Sequence, residues 1–226
     1  MSMKPDGLKP IVHRAANELV YETVREAISS GQFGPGEKLS TRKIAGQLGV
    51  SQMPVREAFQ RLVAEGAMVK RENRSITVPE LTVEEFSELT EIRLALEGMA
   101  ASRAAERATA RQKKSLIDLV SQLDEAVEED DRARHLVLNR KFHFLIYTAS
   151  GSKALLDMIE LLWLRVGPLL RLNTERQDNV LRADKWHSIA AEAIASGDGE
   201  TAAHAIQMDL KDTAEVVKTS LQSPNR

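Results

Sequence analysis

The hydrophobic and polar positions of this chain follow two regimes. Up to about residue 80 apolar residues come in short groups separated by turn residues, and from Thr82 onward they recur at helical spacing with few breaks. The most readable stretch of the first regime is 31–66, GQFGPGEKLSTRKIAGQLGVSQMPVREAFQRLVAEG. Pro35-Gly36 ends a helix and turns the chain. Ser40 or Thr41 can then cap a short helix whose apolar face is Ile44, Ala45 and Leu48. Gly49 offers the left-handed conformation that a sharp turn between helices requires. Ser51 stands where it can cap the next helix, and Pro54 falls in that helix's first turn, where a missing N–H leaves no bond unmade.

On this second helix Val55, Phe59, Leu62 and Val63 form a core face, while Gln52, Arg56 and Gln60, spaced four apart, lie opposite. The pattern predicts a helix-turn-helix. Its exposed residue types suit DNA, because Arg can bond guanine O6 and N7 and Gln can bond adenine N6 and N7 in the major groove. Beyond it, Met68, Val69, Ile76 and Val78 flank the polar run 71–75, RENRS, which predicts a hairpin of two short strands with a basic tip. Helix, helix-turn-helix and hairpin make a winged helix, with Arg71 or Arg74 laid along the DNA backbone or in the minor groove. Arg25 and Arg61 read as solvated ion pairs on helix surfaces.

The second regime predicts six helices, at about 83–107, 110–129, 131–149, 152–172, 176–196 and 199–221, punctuated by Gly151, Gly197 and Gly199. The expected fold is therefore mainly α: an N-terminal winged helix-turn-helix over 1–79 and an all-α helical bundle over 80–226. The hinge between them, around 79–82, is short enough to pass a movement from one to the other.

Composition sharpens this division. The 226 residues suffice for two cores, and the absence of cysteine means that nothing requires an oxidising compartment. The net charge of −2 conceals an asymmetry: residues 1–79 carry 12 Lys and Arg against 8 Asp and Glu, or +4, which leaves −6 for the rest. The basic end suits DNA and the acidic end another task. Met1–Lys9 lacks a signal-peptide core, and Asp157 and Glu160 interrupt the most apolar run, so a soluble cytoplasmic protein with no membrane partner is expected.

The helical half has its own candidate chemistry. Asn139 and His143 are one turn apart on the third of these helices, and His187 and Asp209 lie inside the fifth and sixth. Side chains pointing inward from three packed helices can meet at one point, as they do in bundle metal sites. Imidazole suits Zn, Ni, Cu or Fe, and carboxylate oxygen suits harder ions such as Mn. Read alone, the same histidines also fit a hydrogen-bonded core. His135 shares the face of Asn139 but lies roughly 12 Å along the helix from His143, too far to share one ion. His204 falls off the face of Asp209 and is expected at the surface. Trp163 and Trp186 fit either core or pocket.

The runs G-x-x-x-P-G-x-x-L at 31–39, L-G-V-S at 48–51, P-V-R-E-A at 54–58 and R-L-x-x-E-G at 61–66 resemble the DNA-binding domain of the GntR family of bacterial transcription regulators. The resemblance implies operator contacts from Arg42, Ser51, Gln52, Arg56 and the hairpin tip at Arg74 and Ser75. Gln52 stands where the family most often has Arg, which implies a different base preference. Ser75 stands where it most often has Gly, which stiffens or re-aims the wing.

Further on, E-I-R-L-A-L-E at 91–97, N-R-K-F-H at 139–143, H-S-I-A-A-E-A-I at 187–194 and the Gly197-Asp198 turn resemble the FCD ligand-sensing domain of FadR-type GntR regulators. Six helices rather than seven are similar to its VanR-like group. The resemblance implies a divalent metal, Zn, Ni or Mn, held in many members by one Asp and three His. Asn139 occupies the usual Asp position and Asp209 a usual His position, while His143 and His187 match. One carboxylate is lost and one gained, so a divalent site keeps a formal +1 and still attracts an anion. His143, His187 and Asp209 are then the core ligands, with the Asn139 amide a weaker one.

Arg93 falls where the family often places a basic clamp for the effector's carboxylate, and an ion pair with Glu97 one turn on is its alternative role. Arg165 and Arg171 are further basic candidates for that clamp. The implied function is a regulator, of the repressor type, that binds a pseudo-palindromic double-stranded operator as a homodimer and responds to a small organic acid. Two alternatives stay open. One is a metalloenzyme with a His/His/Asp site, although no acid, base or cosubstrate motif accompanies it. The other is a metal-free regulator whose bundle only dimerises.

Overall fold

The structure, a computed structural model, describes residues 13–72, 75–173 and 177–222. In chain order its elements are α1 (His13–Ser29), β1 (Lys38–Leu39), α2 (Thr41–Leu48), α3 (Gln52–Ala64), β2 (Val69–Lys70), β3 (Ile76–Thr77), α4 (Val83–Arg107), α5 (Ala110–Glu128), α6 (Arg132–Ala149), α7 (Lys153–Asn173), α8 (Gln177–Ser196) and α9 (Gly199–Gln222).

Local chemistry accounts for the helix-turn-helix. Ser40 caps α2 by accepting from the Lys43 N–H at 3.4 Å. Gly49 ends the helix at φ 67°, the left-handed conformation that brings α3 back across α2. Ser51 occupies the N-cap position of α3 with extended backbone, but its hydroxyl makes no capping bond, contrary to the expectation. The reason is Pro54. It occupies the third helical position, whose N–H a capping serine would ordinarily bond, and proline has none. Val55, Phe59 and Leu62 are fully buried against Val20, Val24 and Ile28 of α1, with Val63 only partly covered.

The hairpin is present, but it belongs to a sheet of three strands in the order β1-β3-β2. β1 pairs antiparallel with β3, Lys38 opposite Thr77 and Leu39 opposite Ile76, and β2 pairs on the other side, Val69 opposite Thr77. A strand of two residues carries no alternation, so the sequence pattern could not reveal β1.

The six bundle helices lie within about two residues of the predicted bounds. Reciprocal capping boxes start α4 (Thr82 with Glu85) and α5 (Thr109 with Gln112), and the Asp131 carboxylate caps α6. Small residues allow close approach: Ala100, Ala101, Ala104 and Ala105 of α4 share one core with Ala202 and Ala205 of α9. That core also holds Leu116, Phe142, Tyr147, Ile159, Trp163 and Ile194.

The two halves touch through more than the hinge. Leu164 of α7 is buried in the core of the winged helix. Gly167, on the same helix, lies so close to α1 that a Cβ there would stand 2.4 Å from the Ser29 carbonyl oxygen. Arg25 of α1 pairs with Glu160 of α7 at 2.8 Å with its side chain only 12% exposed. It therefore bridges the halves instead of forming the solvated pair the sequence suggested, because α7 covers that face of α1. Arg140 of α6 donates from Nε to Ser29 Oγ at 2.6 Å. Among the described residues no helix is long and apolar enough to cross a membrane.

Candidate functional site

Two surfaces of different character carry the candidate residues. On the winged helix, Arg42, Ser51, Gln52, Arg56 and Gln60 are all exposed on α2, α3 and the turn between them. Ser75 is half-buried at the start of the returning strand. Arg74 lies outside the described residues. Arg71 donates to Thr77 Oγ1 and to Glu80, each at 3.2 Å, so it is held back along the wing by a surface ion pair. Arg61 is engaged with Glu18 and Glu65 on the far side of α3 and stacks 3.5 Å over the Tyr21 ring. That leaves Arg56 as the α3 arginine that faces solvent with no ion pair among the described residues.

Inside the bundle the predicted ligands converge. His143 of α6, His187 of α8 and Asp209 of α9 are all buried, and one potential ligand atom from each lies within 4.8 Å of the others. His143 Nε2 is 3.2 Å from Asp209 Oδ2 and 3.3 Å from His187 Nε2, and His187 Nε2 is 3.6 Å from Asp209 Oδ1. Two atoms each about 2.1 Å from one ion, at octahedral or tetrahedral angles, lie about 3.0–3.4 Å apart. The three groups therefore have the spacing of a metal's ligand set. Their chemistry fits as well: Asp209 brings lone pairs and a negative charge, and burial beside imidazole nitrogens is favourable only with a cation or a shared proton among them.

Asn139 lines the same small cavity, of about 20 Å³, together with Arg93, His135, Trp163, Leu170 and Thr213. The volume suits an ion or a single water. His135 is on the cavity wall but outside the convergent group, as its distance along α6 requires. His204 is exposed, with its ring edge to Trp186. Arg165 and Arg171 are exposed and do not line the cavity.

Arg93 makes the ion pair with Glu97 and also faces the cavity. It lines the cavity at 2% exposure, and its Nε donates to Glu97 at 2.6 Å. Glu97 is the centre of a network that sequence reasoning noticed only as that ion pair. Trp163 Nε1 donates to it at 3.1 Å, the Tyr147 hydroxyl donates to its other oxygen, and His143 Nδ1 lies 2.9 Å from the same hydroxyl. Burial, followed by the charge of Glu97, pushes the Tyr147 phenol well above its ordinary pKa, so the hydroxyl keeps its proton. The spacing His143 to Tyr147, one helical turn like Arg93 to Glu97, was the available signal.

Comparison with known proteins finds a match for each half of the chain. Residues 16–78 match the bacterial regulatory proteins of the gntR family, and residues 88–212 match the FCD domain. The HTH-type transcriptional regulator McbR of Escherichia coli is 36% identical over 162 residues, 72% of this chain and 73% of that protein. A probable D-xylose utilization operon transcriptional repressor of Paenarthrobacter nicotinovorans is 31% identical, covering 79% of this chain and 78% of its own length. A solved structure of Escherichia coli McbR/YncC superposes with a TM-score of 0.84 at 30% identity, covering 91% of this chain and 98% of that one.

Proposed function

Because the chain belongs to the GntR family of bacterial transcription regulators and carries a C-terminal FCD domain, it is a DNA-binding regulator and not an enzyme, and we propose that a small carboxylate bound beside a metal in the bundle controls its operator affinity. The observation that carries this reading is the convergence of His143, His187 and Asp209 at ligand spacing inside the bundle.

In this reading residues 1–79 read the operator and residues 80–226 sense the effector and dimerise. Arg42, Ser51, Gln52 and Arg56 contact the major groove and adjacent phosphates, and Arg74 and Ser75 place the wing. Their exposure on α2, α3 and the turn between them supports the first four. The open hydroxyl of Ser51 supports it further, since no capping bond competes for it. A cytoplasmic homodimer reads the two halves of a pseudo-palindromic site. Ile92 and Met99 on α4, with Met158 and Leu161 on α7, stay exposed and are the apolar side chains we expect a second copy to cover.

His143, His187 and Asp209 would hold a divalent ion, Zn, Ni or Mn, with Asn139 beside them. When bound, such an ion supplies a Lewis-acid anchor for a carboxylate oxygen. Charge supports an anionic effector. Arg93 and Glu97 cancel, Asp209 leaves one buried negative charge, and a divalent ion turns the balance to one positive charge. Arg93 pairs with the effector as its bond to Glu97 is shared. A cavity of about 20 Å³ cannot admit an organic acid without side-chain movement, and Trp163 and Leu170 of α7 form part of its wall. The same helix carries Leu164 and Gly167 against the winged helix. Displacement of α7 thus changes the orientation of the DNA-binding half, and repression is relieved. If the effector favours one orientation by about 3 kcal/mol, the populations shift roughly 150-fold.

The test is metal content by mass spectrometry on untagged, chelator-free protein, followed by operator binding with a panel of small carboxylates. About one metal per chain, lost in His143→Ala and His187→Ala, with a carboxylate that changes operator affinity in the parent alone, is the expected result. A parent that takes up no Zn, Ni or Mn would overturn the metal-dependent reading.

A further inference from the structure

We propose that Tyr147, held by Glu97, is a positioning residue that sets the tautomer of His143 and so presents its Nε2 as a metal ligand; the proposal rests on the metal reading above. The argument follows one proton. The Tyr147 hydroxyl has a single hydrogen, and it is donated to a Glu97 oxygen. That carboxylate is fully buried and also accepts from Arg93 Nε at 2.6 Å and from the Trp163 N–H at 3.1 Å. With its proton committed, the Tyr147 oxygen can only accept from His143 Nδ1, 2.9 Å away. His143 Nδ1 therefore carries the hydrogen, and in the neutral ring Nε2 is left with its lone pair toward His187 and Asp209.

The Arg93–Glu97–Tyr147 chain thus does for His143 what a carboxylate or carbonyl commonly does for a ligating histidine, through an intervening phenol. It also couples the two candidate groups of the cavity. A carboxylate effector that draws Arg93 away from Glu97 changes the hold on Tyr147, and through it the hold on His143.

The test uses the full-length apo protein titrated with Zn(II) alone, with the histidine side chains followed by 15N NMR. Tyr147→Phe should still bind one Zn(II) per chain, but about 10–100-fold more weakly, and its His143 should lose the uniform Nδ1–H signature of the parent. Glu97→Gln should weaken binding in the same sense, because an amide donating to the phenol oxygen frees the hydroxyl to turn toward Nδ1. Ile146→Val is the control: it trims a fully buried side chain next to Tyr147 on α6 that takes no part in the hydrogen-bonded chain, and its affinity should stay within about 3-fold of the parent. Wild-type affinity and an unchanged tautomer in Tyr147→Phe would overturn the positioning role and leave the metal site standing. Equal weakening in Tyr147→Phe and Ile146→Val, with the tautomer retained in both, would also overturn it, by assigning the loss to packing. A parent that binds no Zn(II) would overturn both readings together.

Discussion

The winged helix and the bundle place their polar chemistry in opposite ways. The first turns Arg42, Gln52 and Arg56 outward from helices whose other faces make the core, so these side chains keep their hydration and their removal leaves nothing unpaired. The second seals Arg93, Glu97, His143, His187 and Asp209 at 4% exposure or less, where each charge depends on a partner. An exposed reading surface can change its residues at little cost to folding. A buried constellation cannot, because an unpaired group inside costs several kcal/mol, and the Arg93–Glu97–Tyr147–His143 chain exists to avoid that. The contrast means that substitutions on the exposed face of the winged helix and in the buried cluster of the bundle act under different constraints.

The strongest challenge to this contrast is Glu97→Ala. It leaves the Arg93 guanidinium buried without its carboxylate, and a loss of about 3–5 kcal/mol is expected in urea unfolding. A loss below about 1 kcal/mol would show that the bundle interior tolerates an uncompensated charge, and the distinction would fall. Gly167→Ala tests the seam between the regions. A methyl group cannot stand 2.4 Å from the Ser29 carbonyl, so α1 and α7 must separate. About 1–3 kcal/mol of stability should be lost, and operator affinity should change in gel-shift titrations while Zn(II) uptake stays as in the parent. If operator binding is unaltered, α7 does not set the orientation of the winged helix.

Arg56→Ala should have the smallest effect on folding, within about 0.5 kcal/mol. Yet it should weaken operator binding by about 1–3 kcal/mol in fluorescence anisotropy at fixed salt. A large drop in melting temperature instead would place Arg56 among the structural residues.

The chain's own order of residues was enough for the helices, because capping and periodicity are local: Ser40, Gly49, Thr82 and Thr109 each act within one turn of themselves. It was also enough to nominate His143, His187 and Asp209, since their residue types and helical faces are visible without coordinates. Three matters needed the fold. β1 forms only because β3 is there to pair with it. Arg25 is shielded only because α7 covers that face of α1 and brings Glu160 to it. Glu97 receives Arg93 from its own helix, Tyr147 from α6 and Trp163 from α7, and proton direction along such a network depends on which donors meet at one carboxylate. Hydrogen bonds act over about 3 Å. Residues 50 and 66 positions apart come within that range only when tertiary packing has decided the distances.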